Sequence, residues 1–106
     1  MDPLRGEVWD ARVPAAGPQP VVVRTINPLI TRTSSVTVAV ITGTQGPAVT
    51  HLAVGPEVGL TKYLVSYVDA TDVHTIAQTS LTRRRGVLHP AELERLEEAV
   101  RTTLGL

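Results

Sequence analysis

The 106-residue chain has no cysteine and no phenylalanine. Without cysteine there are no disulfides and no thiolate metal sites. Trp9, Tyr63 and Tyr67 are its only aromatic residues. The core must therefore be built from valine, leucine, isoleucine and alanine. So few rings also leave little surface on which bases could stack, which argues against an aromatic platform for RNA. Net charge is zero with histidines neutral. No global field draws the protein to nucleic acid, so a local patch would have to do so. A signal peptide is missing, as is any apolar run of about 18 residues, and both absences point to a soluble cytoplasmic protein that does not meet a membrane.

What remains is an ordinary globular composition, 42% hydrophobic, in a length that suits one domain over residues 1–106. Such a chain supports a single, thin core. Internal repeats and low-complexity blocks are absent. "RGEVWDARV" (5–13) alternates and reads as a first strand. "PAAGPQP" (14–20), with three prolines and a glycine, reads as a loop. "VVVRTI" (21–26) is a β-branched run suited to a strand buried on both faces. Asn27-Pro28 marks a turn.

In "SVTVAVITG" (35–43), Val36, Val38, Val40 and Thr42 share one face; Thr37, Ala39 and Ile41 share the other. Further strands are expected at 49–54, 63–70 and 71–76, with a weaker one at 83–88. Gly55-Pro56 and Gly59 interrupt the chain between the first two of these. The period then changes. Pro90 and Glu92 open a helix whose apolar stripe is Leu93, Leu96, Val100 and Leu104, with Gly105 as its stop. The pattern predicts about five to seven short strands in a small, strongly curved barrel, followed by one C-terminal helix.

"RGEVW" (5–9), the Pro-Val-Val-Val run at 20–23, "VTVAVIT" ending in Thr42, "VTHLAV" (49–54), "VDATDVHTI" (68–76) and "GVLHPAELERLEEAVRTTLGL" (86–106) occur in an order that resembles the MazF/PemK family of toxin endoribonucleases. The resemblance spans nearly the whole chain. It implies a mostly β, SH3-like (MazF/CcdB-type) barrel with a C-terminal helix. It also implies a homodimer, metal-free cleavage of single-stranded RNA with no cofactor, and inhibition by a cognate antitoxin whose disordered acidic tail crosses the active groove. The products would carry a cyclic phosphate and a 5′-hydroxyl. Two departures stand out. The first loop, 14–19, is short for the family. The position before the proline of strand two, where the family usually carries its catalytic arginine, is Gln19. The partner hydroxyl is matched by Thr42.

Such chemistry needs a group to orient the sugar and phosphate, and positive charge on the phosphoryl oxygens. An arginine fork matches phosphate geometry, whereas Gln19 donates hydrogen bonds without charge. Another cation is therefore required. Arg12, at the end of the first strand, and Arg32, in the connection after the second, are the first candidates. Arg24 follows; its five-residue offset from Gln19 turns it to the opposite face unless a bulge intervenes. Arg83, Arg84 and Arg85 form the only basic run. The catalytic set is thus Thr42, Arg12 and Arg32, with Gln19, Arg24, Thr44, Asp72 and His74 as RNA contacts.

For each of these the plainer reading is structural. A strand-end threonine is a common β-former. Residues 72 and 74 share a strand face and suit a surface ion pair, although histidine is also the obvious proton carrier near neutral pH. Ser34 and Ser35 are reserve hydroxyls or turn caps. His51 is read as a strand-surface residue and His89 as a helix cap. The three histidines have no metal-site spacing. The hydroxyl- and arginine-rich connection at 27–34 is expected to border a groove for an anionic strand, with Thr42 at its floor. Two rivals share the fold: a gyrase-binding toxin, and a degenerate homologue that binds RNA or antitoxin without cutting.

Overall fold

A computed structural model describes residues 2–106. Six strands form one antiparallel sheet: β1 (Glu7–Val13), β2 (Gly17–Val23), β3 (Ser35–Thr42), β4 (His51–Val54), β5 (Ser66–Ala77) and β6 (Leu81–Val87). Their spatial order is β4-β5-β3-β2-β1-β6. A four-residue helix, α1 (Asn27–Ile30), joins β2 to β3, and α2 (Pro90–Leu104) closes the chain. Short 3-10 turns lie at Pro56–Val58 and Gln78–Ser80. The mostly β architecture with a C-terminal helix agrees with the sequence.

The sheet curls so strongly that both of its faces bury apolar side chains. One core holds Val8, Val22, Ala39, Ile41 and Val68 together with Leu96 and Val100 of α2. The other holds Ala11, Val21, Val23, Val36, Val38, Val40 and Ile30. Alternation distributes β3 between the two, as expected for Val36, Val38 and Val40 against Ala39 and Ile41. Val21, Val22 and Val23 are fully buried, matching a strand covered on both sides. Small β-branched side chains allow this double burial where aromatic rings would not fit.

Several strand ends shift by two to three residues, and three larger differences from the sequence reading stand out. Residues 17–20 are strand, not loop: β2 begins at Gly17 and pairs Pro18 with Arg12 and Pro20 with Asp10. Prolines survive there because β3 pairs with β2 only at Val21, Val22 and Val23, which leaves the other edge of 17–20 uncovered. The strands expected at 63–70 and 71–76 are one twelve-residue strand starting at Ser66. Between Ala39↔Val73 and Ile41↔Val68, β5 advances five residues while β3 advances two. That bulge bends β5 across the barrel, so a local break in periodicity hid its continuity. Residues 27–30 form a helical turn, which Pro28 starts from a favourable early position.

In α2, His89 caps the N-terminus: its Nδ1 accepts from the Ala91 N–H at 3.1 Å, and Glu92 accepts from the His89 N–H at 2.8 Å. Gly105, at φ 73°, ends the helix. Leu96 and Val100 are buried, but Leu104 of the expected stripe is exposed. Arg24 pairs with Glu97 of α2 through two contacts, at 3.3 and 3.1 Å.

Candidate active site

Thr42 is the last residue of β3, opposite Tyr67 of β5. Its Oγ1 accepts the Thr44 N–H at 3.1 Å, which turns the chain sharply after the strand. The Tyr63 ring lies over this turn. A Cβ at Gly43 would sit 2.7 Å from the ring, so any other residue there would push the ring aside.

Thr42 and Gln19 together line two adjoining depressions. The first, about 380 Å³, is bounded by the uncovered edge of β2 (Pro18, Gln19, Pro20), by Asp10 and Arg85, and by Lys62 and Tyr63. The second, about 370 Å³, adds Thr44, His51, Asp69 and Asp72. They share Thr42 and Gln19 and so form one trough, with these two residues where the depressions meet. Three carboxylates (Asp10, Asp69, Asp72) and two cations (Arg85, Lys62) share its walls. The trough is therefore mixed in charge rather than uniformly positive.

The arginines favoured by sequence lie elsewhere. Arg12 is exposed, two residues past Asp10 toward the hairpin tip, and lines neither depression. Arg32 is exposed in the turn after α1. Arg24 is committed to Glu97 beneath α2. The 27–34 connection does not border the trough. Its hydroxyls cap their own turns, Thr31 to Pro28 O and Thr33 to Leu29 O, and Gln78 binds the Ile30 and Thr33 carbonyls at 2.8 and 2.7 Å. These hydroxyls, expected to meet a ligand, serve the backbone instead.

Thr42, Gln19, Thr44 and Asp72 are brought together. His74 stands outside, held by Asp72 at 2.6 Å, the surface pair that their shared face implies. His51, expected on a strand surface, lines the trough. Its Nδ1 meets Thr50 Oγ1 at 2.8 Å and its Nε2 faces Asp69 at 3.5 Å. Only the β4–β5 register, which sets His51 opposite Asp69, brings that pair together, and no local sequence signal encodes it.

The model of the PemK-like, MazF-like toxins of type II toxin–antitoxin systems matches residues 4–104. The chain belongs to this family. Among solved structures, an endoribonuclease from a Mycobacterial species is 28% identical over 100% of this chain and 94% of its own, with TM-score 0.86. An endoribonuclease in complex with its cognate antitoxin, also Mycobacterial, is 30% identical over 98% and 96%, with TM-score 0.86. The Mycobacterium tuberculosis toxin MazF-mt6 is 27% identical over 94% and 97%, with TM-score 0.85. No curated protein matches. The family's barrel and C-terminal helix are those of this chain. Among the described residues, no helix is long and apolar enough to cross a membrane.

Proposed function

We propose that this toxin, as a single domain over residues 1–106, is an endoribonuclease that cuts single-stranded RNA at short sequences without a metal. The observation that carries this reading is that Thr42, the strand-end hydroxyl residue, lines both adjoining depressions of one trough. A strand laid along it would place one nucleotide in each depression and the phosphodiester between them over Thr42. The ribose 2′-oxygen attacks phosphorus and the bond to the 5′-oxygen breaks. A proton leaves the 2′-hydroxyl and another reaches the departing oxygen, giving a cyclic phosphate and a 5′-hydroxyl. Thr42 donates to a phosphoryl oxygen, Gln19 to its neighbour, and Thr44 and Asp72 contact the nucleotide beyond.

The protein would act in the cytoplasm as a homodimer. A cognate antitoxin would cover the trough with an acidic tail; the 30% identical relative is itself in complex with its cognate antitoxin. A gyrase-binding role finds no support among the relatives described.

The test is cleavage of a mixed single-stranded RNA in EDTA, with sequencing of the 5′-hydroxyl ends. Wild type should cut at a defined motif, and a folded Thr42→Ala protein should lose about 10²-fold or more in rate, as when one preorganised donor is removed. A folded wild-type protein that binds RNA but yields no new ends would leave the non-cutting homologue.

A further inference from the structure

Stabilising charge on the phosphoryl oxygens needs a cation in the trough, and Gln19 is neutral. The cations lining the same depression as Thr42 and Gln19 are Arg85 and Lys62. We infer that Arg85 is the catalytic cation of this enzyme; the inference rests on the RNA-cleaving reading above.

Three observations favour Arg85. First, it stands at a break in the β1–β6 ladder. Val8 faces Gly86 and Trp9 faces Arg84, so Arg85 is the extra residue of a bulge. Such bulges re-aim a side chain, and here the side chain leaves the ladder for the trough. Second, its backbone is clamped. A Cβ on Gly59 would meet the Arg85 carbonyl oxygen at 2.2 Å, and a Cβ on Gly86 would meet the Val58 carbonyl oxygen at 2.1 Å. The 3-10 turn at Pro56–Val58 and its following glycine thus sit directly on the bulge. Third, its guanidinium is oriented by Asp10, whose two oxygens both lie 3.2 Å from Nη1. The pair is made through one terminal nitrogen, which leaves the rest of the fork to a phosphate.

Lys62 is a poorer choice. It lies on the loop between β4 and β5, exposed, with its ammonium 5.4 Å from the Tyr63 ring centroid. A charge that must be positioned at the moment of reaction contributes less than one already in place. Lys62 suits contact with a flanking phosphate.

Arg85 exchanges no proton in this step. It holds the negative charge of the non-bridging oxygens while the 2′-oxygen bond forms and the 5′-oxygen bond breaks. Asp10 acts through it as a positioning residue.

The test compares wild type, Arg85→Gln, Arg85→Lys and the double variant Gln19→Arg/Arg85→Gln on one RNA carrying the mapped site, with circular dichroism to confirm folding. Arg85→Gln should cut about 10²-fold or more slowly, with the loss in kcat rather than KM. Arg85→Lys should recover part of that rate, since it restores charge without the fork. The double variant should recover at least tenfold over Arg85→Gln, by placing a guanidinium elsewhere in the lining of the same depression, a gain that repair of a merely structural defect would not give. A folded Arg85→Gln protein within about threefold of wild type overturns the assignment and leaves the nuclease reading standing, because threefold is far below the loss expected for a charge-stabilising group. Lack of recovery in the double variant also overturns it. Wild type that cuts nothing overturns both.

Discussion

Glu7 is a charged side chain with almost no access to water, 8% exposed. Burial by itself pushes its carboxyl pKa up. Hydrogen bonds from Arg84 at 2.6 Å, the Leu4 N–H at 2.7 Å and the Trp9 indole at 3.1 Å, with the Arg84 charge, outweigh burial and hold it below its ordinary 4.5. The folded state therefore binds that proton less readily than the unfolded chain. The resulting stabilisation is complete above pH 4.5 and is lost as pH falls through the lowered folded value. Glu7→Gln should melt roughly 10 °C lower at pH 7, from about 2 kcal/mol of lost charge-assisted bonding. Melting curves from pH 7 to 3 should show the gap to wild type closing below pH 4.5; a constant gap would remove the charge from the explanation. At this scale the sequence was legible where chemistry is local. Thr42 at a strand end and His89 at a helix start are both where the pattern put them. The Arg85–Asp10 and His51–Asp69 pairs were not, because each is made by two strands whose register only the folded sheet sets.

Helix α2 fully buries only Leu96 and Val100, with Leu93 and Ala99 partly buried against the same core. Its second attachment is ionic: Glu97 takes Arg24 in a two-pronged contact and Arg5 at 3.5 Å. Arg24 and Glu97 are 15% and 17% exposed, so removing one partner strands the other in poorly hydrated surroundings. Glu97→Ala should cost about 2 kcal/mol by urea unfolding. Arg24→Leu/Glu97→Leu should recover most of it, because an apolar pair of similar volume needs no partner. Equal losses in both variants would count against the buried-charge account. This contact explains why Arg24, a plausible ligand on charge alone, has no part in the trough. Element type was readable wherever a period held for a turn or more, as in α2 and β3. It failed where backbone geometry overrode composition. Two prolines entered β2 along an edge that β3 leaves uncovered, and a bulge concealed the length of β5.

At the scale of the whole molecule, one loop presents a cluster of exposed apolar side chains. Tyr63, Leu64 and Val65 are consecutive and all exposed, at 49%, 86% and 43%. Three adjacent apolar residues facing water are unfavourable unless something covers them. They sit beside the trough, which Tyr63 itself lines. A second copy is the economical cover: in a two-fold interface each substitution acts twice, and each trough would stand next to the partner's surface. The expected mass by light scattering at micromolar concentration is therefore twice 11.3 kDa. Leu64→Asp makes the sharper test, because a side chain 86% exposed contributes little to the interior of its own subunit. The subunit should keep its circular dichroism spectrum while dissociation becomes about 10²–10³-fold easier, from roughly 2 kcal/mol of lost burial on each side of the axis. If dimers persist unchanged, the 63–65 loop lies outside the interface and is left for the antitoxin or the RNA. If wild type is monomeric at every concentration, the apolar loop must be covered by the antitoxin alone, and the trough must bind its RNA within a single subunit.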